Sequence, residues 1–289
     1  MKIKFLIGLL AVIAGAIGIT VVLMSENALV VQPKGMIAHS ELELIITNIL
    51  LMLVIIVPTY FLLFAVVWKY CIKNDQANYD PDHHFGIPGE LLMWGLPSVV
   101  VVVMAIVTWE ATHQLNPYKP LESKVPPLTI QVVAMDWKWL FIYPEQGIAT
   151  LNHFTIPEGT PIHFKLTADN APMNSFWIPQ LSGQIYSMTG MTTQLNVMAQ
   201  GPGIFQGRAV EINGEGYADM TFLVTSTPKQ DFEKWVEKVK DSPHHLTEKT
   251  YDELLKPSID RSMTLFSQVK EDLFHEIVHK YMYPSKPVL

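Results

Sequence analysis

The sequence predicts a membrane α-helical hairpin, preceded by an N-terminal apolar helix or signal, that carries an all-β domain finished by C-terminal helices. Three observations predict it. Every apolar run long enough to cross a bilayer lies before residue 114, the pattern changes to an alternation of period two at Leu128 behind a proline-rich stretch, and helical spacing returns after Thr227. The composition agrees: 49% of the 289 residues are hydrophobic and 16% are charged, against about 25% charged residues in an average soluble domain.

A bilayer crossing needs about 20 residues of helix, and three runs meet that length. The first, 5–24, follows Lys2 and Lys4, a pattern shared by an uncleaved anchor and a secretory signal; both readings stay open. The second, 44–67, contains Pro58, which is expected to kink it, and ends in Trp68, Lys69, Tyr70 and Lys73. The third, 91–108, has Trp94 and Trp109 near its ends, where amphipathic rings favour the interface. Short cytoplasmic flanks are enriched in Lys and Arg, so Lys2, Lys4, Lys69 and Lys73 are expected inside, together with Cys71. Everything beyond His113 is then external.

Pro117, Pro120, Pro126 and Pro127 stiffen a connector and break helix. Beyond it, Ile130, Val132 and Ala134 alternate with other positions, and short β-rich runs follow at 162–166, 176–178, 194–198 and 220–224. Turn residues such as Pro157-Glu158-Gly159, Gly201-Pro202-Gly203 and Asn213-Gly214 separate them, the pattern of a β-sandwich or barrel. Phe232, Trp235, Val236 and Val239, and again 273–282 with Ile277, Val278 and Tyr281, have the spacing of amphipathic helices. Both are expected to cover the β domain or a neighbouring subunit. The division is therefore 1–24 for a signal or transmembrane helix, 25–116 for the hairpin with helices at about 42–68 and 90–112, 117–127 for the linker, 128–227 for the β domain and 228–289 for a helical extension.

The net charge of −7 provides no basic field for nucleic acid, and the cations form no stripe along one face. Cys71 is the single cysteine, so this chain alone builds neither a disulfide framework nor a thiolate metal cluster. The pairs His83-His84 and His244-His245 read as solvated loop histidines. His153 and His163 lack an evident third ligand and read as structural. Ser175 and Ser182 lack a nucleophile context such as G-x-S-x-G. Met173, Met188, Met191, Met198 and Met220 are soft donors able to hold Cu(I), yet thioethers also fill irregular cores, and core packing is the favoured reading. Alternation puts Trp137, Trp139 and Phe141 on one face, as sheet core or as contact surface for a partner. No self-sufficient catalytic set emerges.

From about Gln32 to Met282 the residues resemble subunit II of the haem–copper terminal oxidases. The resemblance rests on the hairpin, the strand MDWKW, the segment NSFWIPQLSGQIY and the stretch GPGIFQGRAVEINGEGYADM. It implies a cupredoxin-like β domain on the periplasmic side. In members that oxidise cytochrome c, this last stretch carries Cys, three residues, Cys, three residues, His, two residues, Met. With an upstream His and the carbonyl of a Glu, these ligands hold a binuclear copper centre. Here Ala209 and Asn213 stand in place of the thiolates, Tyr217 in place of the second His and Asn174 in place of the first, while Glu211 and Met220 match. Soft thiolates select copper, so the resemblance implies a domain that has lost its metal.

MDWKWLFIYPEQGIAT resembles in particular the ubiquinol oxidase branch of cytochrome bo type. Many of its second subunits carry a lipobox cysteine after the first apolar run; here that region reads LMSENALVV, without a cysteine to acylate. The resemblance implies a subunit without catalytic residues or cofactor of its own, in an inner-membrane complex that oxidises ubiquinol, reduces O2 to water and pumps protons. Haems and copper are expected in subunit I, with subunits III and IV as further partners and membrane lipid around the helices. Glu90 in GELLMWGLPS matches a proton-uptake position; it equally suits a cap in the headgroup region near the favourable end of the helix dipole. A membrane-tethered assembly factor, or a copper-handling protein with a cupredoxin-like domain, is the competing reading.

Overall fold

The computed structural model describes residues 28–70, 86–171, 173–259 and 262–282, together with Gly15, Gly18, Thr20 and Val21. Most of the first apolar run, and Cys71, Lys73 and His83-His84, lie outside the described residues. The chain divides into two units, one of residues 41–116 and one of 1–40 with 117–289.

The smaller unit is built on α1 (Met36–Lys69) and α2 (Gly86–Gln114), both long and apolar enough to cross a membrane. Each extends past the run that hydropathy marks, because helix continues through flanking polar residues such as His39, Glu41 and Glu43 while hydropathy registers only the lipid-compatible stretch. Pro58 and Pro97 sit inside continuous helix. Their apolar side chains point out of the chain, with Phe61 72% and Trp94 75% exposed. Such surface is stable against lipid or apolar protein and costly in water.

Among its described residues the other unit holds eleven strands, in two sheets, and three α-helices. The strands are β1 (Leu128–Met135), β2 (Lys138–Tyr143), β3 (Ile148–Leu151), β4 (His153–Pro157), β5 (Ile162–Ala168), β6 (Asn174–Trp177), β7 (Ile185–Ser187), β8 (Thr193–Val197), β9 (Gly203–Ala209), β10 (Thr221–Thr227) and β11 (Thr264–Phe266). The helices are α3 (Lys229–Lys240), α4 (Glu248–Leu254) and α5 (Leu273–Met282). One sheet runs β11-β3-β2-β1-β5-β8 and the other β4-β10-β9-β6-β7, with β1 parallel to β5 and β4 parallel to β10.

Strand β1 is buried on both faces. Ile130, Val132 and Ala134 point into the space between the sheets, where they meet Trp139, Phe141, Phe154, Phe164, Phe176 and Phe222. Phe176 and Phe222 stack at 4.8 Å, and Trp139 meets Phe176 edge-on at 5.3 Å, arrangements the ring quadrupole favours. Val133, Met135, Leu140 and Ile142 point the other way and pack under Leu246, Tyr251, Phe266, Leu273, Phe274, Ile277 and Val278. Residues beyond 240 thus build a second core, and β11 lengthens the sheet. The expected helical extension therefore also contributes a strand; its three residues are too few for a recognisable alternation.

Trp139 and Phe141 are core residues, but Trp137 is not in a strand. Met135 pairs with Lys138, so the chain reverses at Asp136-Trp137, and Trp137 takes φ 62°, a region a bulky side chain seldom occupies. Residues 28–40 also belong to this unit: the N–H groups of Lys34 and Gly35 donate to Gln180 O at 2.7 and 2.8 Å, and Gly35 bridges Ala199. Pro117 O accepts from the backbone and side chain of Asn196 at 3.2 and 2.9 Å. Lys34, Gly35 and Pro117 are thus held to the sheets within this unit.

Candidate functional site

Asn174 opens β6 and Ala209 closes β9, 35 residues apart in sequence. The two strands pair antiparallel with Phe176 opposite Ala209, which brings both positions to the same end of the sheet. The loop 210–220 is clamped at its base: Ala209 N–H donates to Met220 O at 3.0 Å and Val210 N–H to Ser175 O at 3.2 Å. Within it, the Asn213 amide donates to Asn174 Oδ1 and to Met220 Sδ, the second at 3.5 Å. Asn174, Asn213 and Met220 therefore touch one another, and Ala209 joins them through its backbone. Asn174 and Met220 are fully buried.

Tyr217 begins a short 3-10 turn, Tyr217–Asp219, and packs half-buried against the edge of the inter-sheet core. Glu211 is half-buried on the same loop; no hydrogen bond among the described residues links it to the other five. The reversal at Trp137 supplies the floor. A Cβ on Gly216 would overlap the Trp137 ring and one on Gly214 would lie 3.1 Å from it, so the loop closes on the indole only because both positions are glycine. Trp137 Nε1 and Asn213 Oδ1 are buried without a hydrogen-bond partner among the described residues.

The corner presents two carboxamides, a methyl group, a phenol and one thioether. It offers neither thiolate nor imidazole, the donors a copper pair requires. Among the described residues no group of three or more His, Cys, Asp and Glu side chains is placed to hold a metal.

The remaining candidates are dispersed. His153 lies edge-on to Trp235 at 6.1 Å with its Nδ1 unpartnered among the described residues, and burial pushes its pKa down. His163 Nδ1 bonds Asn196 Oδ1 at 2.8 Å. His245 Nδ1 lies 3.0 Å from Ser267 Oγ. Ser175 Oγ donates to Gln184 Oε1 at 3.0 Å and Ser182 Oγ to Gly183 O at 3.2 Å. Of the five methionines considered as donors Met220 is buried, Met188 and Met198 are half-buried, and Met173 and Met191 are exposed at loop positions. Glu90 is exposed in the early turns of α2.

Sequence reasoning missed a buried carboxylate that ties the C-terminal helices down. Asp169, 1% exposed, accepts from Tyr251 Oη at 2.6 Å, Tyr281 Oη at 2.7 Å and Lys280 Nζ at 2.8 Å. It locks α4 and α5 to the end of β5. Burial, then the Asp169 charge, pushes the Tyr251 hydroxyl pKa far up.

Residues 146–227 match the family described as cytochrome c oxidase subunit II, periplasmic domain, and residues 240–285 match the COX aromatic rich motif. The chain is 47% identical to a cytochrome bo(3) ubiquinol oxidase subunit 2 of Pseudomonas aeruginosa over 86% of this chain and 75% of that one. It is 42% identical to a ubiquinol oxidase subunit 2 of Acetobacter aceti, over 87% and 82%. It is 38% identical to a quinol oxidase subunit 2 of Bacillus cereus, over 82% of both chains. Among solved structures, the periplasmic domain of subunit II of the Bradyrhizobium japonicum cytochrome oxidase aligns at 20% identity and TM-score 0.39, covering 42% of this chain and 96% of that one.

Proposed function

The chain belongs to the subunit II family of the haem–copper terminal oxidases, in its cytochrome bo-type ubiquinol oxidase branch, and from that premise we propose that it is the non-catalytic second subunit of a proton-pumping ubiquinol oxidase. In this reading ubiquinol from the membrane gives its electrons to haem in subunit I. That subunit holds both haems and the complex's remaining copper, and O2 is reduced to water there. This chain supplies no redox centre. Its two helices cross the inner membrane and brace subunit I, beside subunits III and IV, and its β domain caps the complex on the periplasmic side. The exposed apolar surface of α1 and α2 supports the bracing role, since it needs lipid or other membrane helices to cover it.

The observation that carries the reading is the Asn213 amide bonded to Asn174 and Met220. Where copper-bearing relatives place a histidine and a cysteine, this chain places two carboxamides, one donating to the other. The test is to purify the native complex through a tag on this chain. Haem absorption, ubiquinol-dependent O2 uptake and no signal of a thiolate-bridged copper pair in its electron paramagnetic resonance spectrum are expected. A haem-free chain, or a complex showing that copper signal, overturns the proposal.

A further inference from the structure

Residues 275–279 of α5 read His-Glu-Ile-Val-His, the H-E-x-x-H spacing that sets two imidazoles on one helical face as zinc ligands. In the structure Phe274, Ile277 and Val278 are buried in the second core, while His275 and His279 are exposed on the opposite face. Their rings lie 5.1 Å apart between centroids and within 16° of parallel. A tetrahedral Zn2+ with nitrogen ligands at about 2.0–2.1 Å brings two such nitrogens to roughly 3.3 Å of each other. Both rings lie on one face of the helix, and their side-chain torsions set the distance between the nitrogens.

We propose that His275 and His279 form a two-histidine site for a borderline divalent cation, with Zn2+ as its natural occupant. The backbone is preorganised for it. Tyr281 and Lys280, in the same turn as His279, bind Asp169, and the helix's inner face is packed against the sheet, so the two backbone positions are fixed before an ion binds. Neutral imidazole suits zinc, copper and nickel, and water fills the positions the protein leaves open. The site is not a hydrolytic one. Glu276, the residue of this spacing that would activate water, is paired with Lys270 at 2.8 Å, and no third protein ligand converges among the described residues. The bound ion instead staples one outer turn of α5 to the next, on the helix that locks the second core.

The test is calorimetric titration of ZnCl2 into the full chain in detergent at pH 7.5, after treatment with chelator. One site is expected, weakened at least about tenfold in His275→Gln and in His279→Gln separately, a loss of about 1.4 kcal/mol or more, because each leaves a single ligand. Glu276→Gln, which keeps both imidazoles, is expected to bind as the wild type does. Zinc binding should also raise the melting temperature of the wild type and leave that of His275→Gln unchanged. Unaltered affinity in both histidine variants, or loss of affinity in Glu276→Gln equal to theirs, overturns the assignment.

Discussion

Removing the Asp169 carboxylate should release the C-terminal layer, and the structure sets the order of effects. A hydrogen bond to a charged group contributes about 1.5–3 kcal/mol. Tyr251 is 6% exposed and bonds Asp169 at 2.6 Å, so Tyr251→Phe should cost that amount, about 2 kcal/mol. Lys280 is half exposed and its pair is solvent-screened, so Lys280→Ala should cost under about 1 kcal/mol. Asp169→Ala loses both tyrosine bonds and leaves the Tyr251 hydroxyl buried without its acceptor, for about 3–4 kcal/mol. Because the bonds join β5 to α4 and α5, the loss should appear as local opening: hydrogen exchange should speed up in Glu248–Leu254 and Leu273–Met282 while β1 and β5 stay protected. Sign and window follow from Tyr251. Its raised pKa means folding favours the neutral phenol, so the contribution is complete below the unfolded value of about 10 and is lost as pH rises above it. If Lys280→Ala proves as costly as Asp169→Ala, or if exchange accelerates uniformly over the sheet, the lock does not work as described.

Replacing Asn174→His, Ala209→Cys, Asn213→Cys and Tyr217→His together should create a thiolate-bridged site with intense visible absorption and about two bound coppers per chain, whereas single replacements should stay colourless; a folded, colourless quadruple variant refutes the positional match. Glu90→Ala should slow ubiquinol oxidase turnover with haem content and assembly unchanged if Glu90 admits protons, and unaltered turnover reduces it to a helix cap. A membrane-impermeant thiol reagent should label Cys71 in inverted vesicles only; labelling in intact spheroplasts reverses the orientation. His153 has a lowered pKa through burial, so it stabilises the fold above its unfolded value of about 6.5 and loses that contribution as pH falls below it. Thermal melts of His153→Leu should therefore vary less between pH 7 and 5 than those of the wild type.

The hairpin and α5 were legible because long apolar runs and i, i+3, i+4 spacing are local signals. Other elements hide for identifiable reasons. Strands β3 and β4 are separated by one residue, Asn152 at φ 56°, yet belong to different sheets; nothing in Leu-Asn-His distinguishes that switch from a continuous strand. The glycines around Pro202 signal a turn and mask β9, which starts at Gly203. Its Gly207 leaves the room that Phe222 occupies. Alternation placed Trp137 beside Trp139, but a two-residue reversal overrides the period and turns the indole under the loop 210–220. The positions in that loop were named from family resemblance; the pairing of β6 with β9 supplies their physical proximity to Asn174. The Asp169 lock was invisible because its partners lie 82 and 112 residues away.

The two cores bear on how the corner at Asn174, Asn213 and Met220 is held. A carboxamide pair contributes about 1 kcal/mol, too little to hold the corner alone. What remains is packing. Trp137 fills the floor of the loop and needs Gly214 and Gly216 above it. On the far side of β1 and β2, seven side chains from beyond residue 240 bury the outer face of the sheet, at about 1.5–3 kcal/mol for each large apolar side chain fully buried. That layer lies against the strand pair whose reversal carries Trp137. Anything that holds α5 in place, the Asp169 bonds or an ion across His275 and His279, therefore bears on the shape of that corner through β1 and β2, without touching it.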